Sequence, residues 1–103
     1  MSVLVDFAIF PTDKGQSVSQ YVSEVIHMIR QSGVPYQLTA MGTLIETETV
    51  GQALDIINRS HELLYEDCDR VYCTITIDSQ KDKSNRISSK VEAIEDKIGS
   101  VNR

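Results

Sequence analysis

The sequence predicts an α+β domain of ferredoxin-like, β-α-β-β-α-β architecture: a four-stranded antiparallel sheet, two helices on one face, and an extra C-terminal helix. Three observations carry that prediction. Apolar residues alternate with period two in three segments, a fourth strand-like segment follows the second after a short gap, and apolar residues recur at helical spacing in three others. The two periodicities follow one another in the order of a split βαβ motif with one more helix. Glycine, proline and capping residues fall at the joints.

The first strand is read over Val3 to Phe10, with Val3, Val5, Phe7 and Ile9 on one face and Leu4, Asp6, Ala8 and Phe10 on the other. Pro11 ends it, because proline cannot donate to a ladder, and a polar loop runs to Gln16. Ser17 is placed as the N-cap of the first helix, with Gln20 completing a capping box. Val18, Tyr21, Val22, Val25, Ile26 and Ile29 form its apolar stripe, and Gly33 stops it. Tyr36 to Met41 and Thr43 to Glu48 read as a hairpin turning at Gly42. A second capping box, Thr49 with Gln52, opens a helix whose apolar face carries Val50, Leu54, Ile57, His61, Leu64 and Tyr65, and which ends near Glu66. After a turn at Asp67 to Asp69, Arg70 to Asp78 alternates cleanly, with Val71, Cys73, Ile75 and Ile77 toward the helices. Ser79 to Asn85 reads as a charged loop. Ile87, Val91, Ile94, Ile98 and Val101 then form a narrow helical seam suited to one groove or to a partner helix.

The 103 residues, 41% apolar and 24% charged, suit one domain over residues 1–103 with a single core. No apolar run approaches the ~20 residues of a membrane span. The N-terminal MSVLVDFAIF has no basic region and contains Asp6, so it reads as a strand and not as a signal peptide. A net charge of −5 offers no cationic surface for phosphates, which argues against nucleic acid as a partner. Cys68 and Cys73 match no zinc or redox spacing and read as reduced thiols of a cytoplasmic protein, Cys73 in the core and Cys68 exposed in a turn.

Catalytic patterns are missing. His27 and His61 have no nucleophile at recognisable spacing and read as helix-face residues, His61 as a buried, hydrogen-bonded one. No phosphate-cradling glycine motif occurs, and the first loop lacks the arginine of an acylphosphatase and the paired cysteines of a copper chaperone. The expectation is a non-enzyme without metal or cofactor.

The sheet face turned away from the two helices would carry Leu4, Asp6, Ala8, Phe10, Tyr72, Thr74 and Thr76, with Gln37, Thr39 and Met41. That mixture is too apolar for a solvated face and too polar for core, which points to an interface, alone or combined with a ligand site. Asp6 is the telling residue. A carboxylate in a strand interior among apolar neighbours calls for a partner, either a basic side chain of another subunit or a ligand amino group.

Three strings, Ser17-Val18-Ser19-Gln20-Tyr21-Val22, Tyr36-Gln37-Leu38-Thr39-Ala40-Met41-Gly42-Thr43-Leu44-Ile45-Glu46 and Arg70-Val71 with the following Ile77-Asp78, resemble the thiamine-binding protein family over essentially the whole chain. The resemblance implies a ferredoxin-like subunit that assembles as a homotetramer, a dimer of dimers, and binds thiamine or its hydroxymethylpyrimidine moiety without transforming it. It implies Asp6 and Glu46 as acidic ligand-binding groups, Ser17, Ser19 and Thr43 as hydroxyls for ring nitrogens, and Phe10 and Met41 as apolar walls. Two positions depart from the family pattern: Thr47 follows Glu46 where glycine is common, and Gln80-Lys81 stands where an arginine is common. An oligomeric module of ACT-like character, with the open face used only for assembly, is the alternative.

Overall fold

The computed structural model describes residues 1–103. Its elements are β1 (Ser2–Pro11), α1 (Ser19–Ser32), β2 (Tyr36–Leu38), β3 (Thr43–Thr47), α2 (Val50–Tyr65), β4 (Val71–Gln80) and α3 (Arg86–Ile98). The strands form one sheet in the order β2-β3-β1-β4, every neighbouring pair antiparallel. This is the predicted ferredoxin-like α+β fold.

The core lies between one sheet face and two helices. Val3, Val5, Phe7 and Ile9 of β1 and Ile45 of β3 pack against Val25 and Ile29 of α1 and Ala53, Ile56, Ile57 and Leu64 of α2. The registers Val5 with Ile45 and Val5 with Ile77 place these positions on the same face, as strand alternation requires.

The helix boundaries follow capping chemistry. Thr49 has extended backbone and accepts a hydrogen bond from the Gln52 N–H at 3.1 Å, while the Gln52 side chain accepts from the Thr49 N–H at 3.1 Å. That is the predicted capping box. The box predicted at Ser17 does not form. Val18 is the N-cap of α1 and has no side-chain cap, because the chain enters the helix one residue later and leaves Ser17 in the loop. Gly33, with φ of 81°, takes the left-handed conformation that ends α1.

Four expectations are corrected. The β2 strand stops at Leu38 instead of Met41, since Thr39 turns the chain by accepting the Met41 and Gly42 N–H groups and donating its hydroxyl to the Gly42 carbonyl. β4 runs on to Gln80, paired with Ser2, so Ser79 and Gln80 are strand and not loop. The cysteines are interchanged: Cys68 is buried at the foot of α2 and Cys73 is exposed on β4. His61 is exposed and stacks on Tyr65, with ring centroids 5.2 Å apart.

The last two corrections turn on which faces are covered. The buried face of α2 is centred on Ala53, Ile57, Ser60 and Leu64, one step round the helix from the stripe read in the sequence. Leu54, His61 and Tyr65 are left outside. The β4 residues on the core side of the sheet stay uncovered, with Ile75 43% and Ile77 41% exposed. The two helices cover β1 and β3 and leave the edge strand bare.

Candidate functional site

β1 is longer than its partner β3. The two pair only from Val3–Thr47 to Phe7–Thr43, and beyond Phe7 the β3 side of β1 is open. A cavity of about 320 Å³ occupies the space that a longer β3 would have filled. Its walls are Phe7 to Phe10 of β1, Val18, Val22, Val25 and Ile26 of α1, and Leu38 to Thr43 of the hairpin turn. Eleven of the fourteen lining residues are hydrophobic, which suits an apolar ring system better than a sugar or a phosphate.

Asp6 stands beside the lining residue Gly42. It lies two residues before Ala8 on the open sheet face, opposite Leu44 and Thr76. A Cβ added to Gly42 would sit 2.7 Å from Asp6 Oδ1 and 3.0 Å from the Phe7 carbonyl oxygen. Only glycine lets the carboxylate and the hairpin turn come this close. Asp6 is exposed, and its carboxylate makes no hydrogen bond or salt bridge within the chain.

The residues singled out in the sequence divide into three groups. Phe10, Met41 and Thr43 line the cavity, with Met41 89% exposed, and Asp6 stands outside the lining beside Gly42. Phe10 also packs against Tyr72 across the strand pair, ring centroids 5.7 Å apart. Ser17 and Ser19 are exposed and flank the wall residue Val18 at the start of α1. Glu46 is elsewhere and is occupied.

Glu46 serves as the cap that α3 lacks in its own sequence. Asn85, the N-cap residue, has left-handed backbone and no side-chain cap. The Glu46 carboxylate accepts from the Arg86 N–H at 2.8 and 3.0 Å, from the Ile87 N–H at 3.3 Å and from the Ser2 hydroxyl at 2.5 Å. The Arg86 guanidinium, 3% exposed, donates to the Ser2 hydroxyl and carbonyl, to the Asp78 carbonyl and to the Gln80 amide oxygen, and pairs with the Asp78 carboxylate at 3.2 Å. Burial pushes the Glu46 carboxyl up, but the Ser2 hydroxyl, the two N–H groups and the guanidinium outweigh it and hold the carboxyl below its ordinary range. An anion at a helix N-terminus is stabilised by the helix dipole as well. The network fixes α3 across one end of the open sheet face, and the sequence reading missed it. Its signal was Arg86 itself, a lone basic residue in the first turn of a helix, where the dipole disfavours it unless an acid stands by.

A second lock closes the cavity end of the sheet. Asp13 accepts from the Asp69 N–H at 2.7 Å and the Arg70 N–H at 3.5 Å, and the Thr12 N–H bonds the Arg70 carbonyl at 2.9 Å. The Asp69 N–H is the main cause of the lowered Asp13 carboxyl. These bonds tie the loop before α1 to the turn before β4 and fix the end of β1 that lines the cavity. No cluster of three or more His, Cys, Asp or Glu is placed to hold a metal, and no helix is long and apolar enough to cross a membrane.

Comparison with known proteins agrees with this architecture. A family model described as thiamine-binding protein matches residues 5–95. The protein MJ1052 of Methanocaldococcus jannaschii is 35% identical over 92 residues, 89% of this chain and 91% of that one. A Mycobacterium tuberculosis protein of the same uncharacterised group is 34% identical over 95 residues, 92% and 93% of the two chains. The crystal structure of MJ1052 superposes with a TM-score of 0.81 at 34% identity, covering 90% of this chain and 95% of that one. A Thermotoga maritima structure, of a protein proposed to act in thiamine biosynthesis or salvage, superposes with a TM-score of 0.78 over 91% and 99% of the two chains, and at 19% identity it speaks to the fold alone.

Proposed function

The chain belongs to the thiamine-binding protein family, and on that premise we propose that it is a non-catalytic binding protein for thiamine or its hydroxymethylpyrimidine moiety, acting as a cytoplasmic homo-oligomer. The observation that carries the reading is an apolar cavity of about 320 Å³ whose wall residue Gly42 abuts the unpartnered Asp6 carboxylate. An aminopyrimidine has a flat apolar ring and an exocyclic amino group, and thiamine adds a cationic thiazolium. The ring suits walls such as Phe10 and Val22, and the carboxylate suits the amino group or the cation. Thr43 in the wall and Ser17 and Ser19 at the entrance supply hydroxyls for ring nitrogens. Glu46 has no part in the site, because the first turn of α3 already takes up its oxygens. The description of the family by what it binds supports binding without turnover.

The surface supports self-association. β4 offers a free edge over ten residues, beside the uncovered Ile75 and Ile77, and an exposed edge next to apolar surface invites pairing with another copy. The seam of α3 is half-buried at Ile87 and Val91 and bare at Ile98, which is 73% exposed. Two such surfaces on one subunit suit a dimer of dimers.

Calorimetric titration with thiamine and with hydroxymethylpyrimidine tests the reading. It predicts saturable binding of one ligand per chain, with the ligand recovered chemically unchanged and a mass by light scattering of four chains. An assembled protein giving no heat up to millimolar ligand would favour the assembly-only alternative.

A further inference from the structure

We propose that the main chain of Ile9 reads the ligand, its N–H and C=O pairing with the acceptor-donor edge of an aminopyrimidine as a neighbouring strand would. The inference rests on the binding function proposed above and names the group that recognises the pyrimidine.

The direction of these groups follows from the strand pairing. In an antiparallel sheet, successive residues point their N–H and C=O alternately to the two neighbouring strands. The Thr12 N–H bonds the Arg70 carbonyl, on the β4 side. The Phe7 carbonyl lies 3.0 Å from where a Gly42 Cβ would be, on the β3 side. Even-numbered residues of β1 therefore address β4, and odd-numbered residues address β3. Phe7 finds Thr43 there. Ile9 would need Met41, but Thr39 has turned that segment away, and the Met41 N–H is bonded to the Thr39 hydroxyl. The β1–β3 ladder ends at Phe7 and Thr43, and no backbone bond outside the helices and strands reaches the Ile9 N–H or C=O.

These two groups sit in residue 9, only 6% exposed, in the wall of the apolar cavity. Buried main-chain groups are paired in the great majority of folded structures, and an unpaired pair in an apolar setting calls for an explanation. The N–H and C=O of one extended residue point the same way. They match a planar ring that offers a nitrogen acceptor next to an amino donor, which is the N3 and 4-amino edge of hydroxymethylpyrimidine. The side-chain hydroxyls of the site cannot make this distinction, since each both donates and accepts.

The test uses the full chain assembled by peptide ligation, with residue 9 as isoleucine or as its α-hydroxy analogue, which replaces the N–H by an ester oxygen and keeps the side chain. Hydroxymethylpyrimidine and its counterpart lacking the 4-amino group are titrated into both. The expected result is at least about tenfold weaker binding of the des-amino compound to the all-amide protein, the size of one net hydrogen bond. A similar loss is expected for hydroxymethylpyrimidine with the ester protein, and a downfield shift of the Ile9 amide proton on binding. Equal affinity for the two pyrimidines, or an Ile9 amide proton that does not move, overturns the inference and leaves the binding function standing. If neither pyrimidine nor thiamine binds, the function falls and the inference with it. Should the ester protein fail to fold, the Ile9 proton and the pyrimidine pair decide alone.

Discussion

Removing the Glu46 carboxylate tests whether this residue holds α3 or serves a ligand. In the Glu46→Ala variant the Arg86 and Ile87 N–H groups and the Ser2 hydroxyl lose their acceptor. Hydrogen bonds to a charged group are worth about 1.5–3 kcal/mol each and do not add. The Arg86 guanidinium keeps its own partner, Asp78, so the loss is that of hydrogen bonds sharing one charged acceptor, about 3 kcal/mol. With a urea slope of about 1.5 kcal/mol per molar, the unfolding midpoint drops by about 2 M. Glu46→Gln keeps one acceptor oxygen and loses roughly half as much. Hydrogen exchange should quicken first in α3, whose anchor is its first turn. The charge also sets a pH dependence. The Glu46 carboxyl is depressed in the folded chain below its ordinary 4.5, so its contribution is complete above that value and is lost as pH falls through the lower, folded one. The wild-type midpoint should fall more steeply below pH 4.5 than that of Glu46→Gln. Two variants within about 0.5 kcal/mol of wild type, or a large loss of thiamine affinity in a still-folded Glu46→Gln, would refute the assignment.

The remaining predictions concern caps, the contact of Asp6 with Gly42 and the thiols. Thr49→Ala should cost about 1 kcal/mol of stability in urea unfolding through the lost capping box, while Ser17→Ala stays within about 0.5 kcal/mol, since Ser17 caps nothing. Gly42→Ala forces a Cβ against Asp6 and the Phe7 carbonyl and should cost about 1–3 kcal/mol. Adding Asp6→Ala should recover the part due to the carboxylate, which a double-mutant cycle measures. Cys68 should resist thiol reagents until the chain unfolds, both because it is buried and because burial and Asp13 raise its thiol. Cys73 should label in dilute protein and slow as concentration rises, when the β4 edge is covered by a second copy; a rate independent of concentration would leave that edge to solvent.

The fold was legible because each element carried its own period and punctuation: the Val3 to Ile9 alternation, the Thr49 and Gln52 box, and Gly33. What was not legible depended on which surfaces meet. The stripe of α2 was read one step off because Ser60, a core residue that bonds the Ile56 carbonyl at 2.8 Å, looks polar in sequence, while His61 and Tyr65 beside it look apolar. Cys73 was placed inside because its strand alternates, and alternation says which residues share a face without saying that anything covers it. The site was half legible. Asp6, Phe10, Met41 and Thr43 share a neighbourhood that strand order and the hairpin create. Glu46 carries the same acidic signal as Asp6, yet its partners lie some forty residues away at Arg86 and Ile87, a distance that local pattern does not span. Arg86 supplies a buried guanidinium to the end of β4, at the Asp78 carbonyl and the Gln80 side chain.

The account stands most directly on the place where the ligand sits. Amide shifts of the isotope-labelled chain, followed during titration with hydroxymethylpyrimidine, read that place residue by residue. The account predicts saturable shifts concentrated at Asp6 to Phe10, Val18 to Val22 and Met41 to Thr43, with the first turn of α3 around Arg86 unmoved. Shifts centred on Glu46 and Arg86 or on the outer face of β4, or no shifts at millimolar ligand, would contradict it.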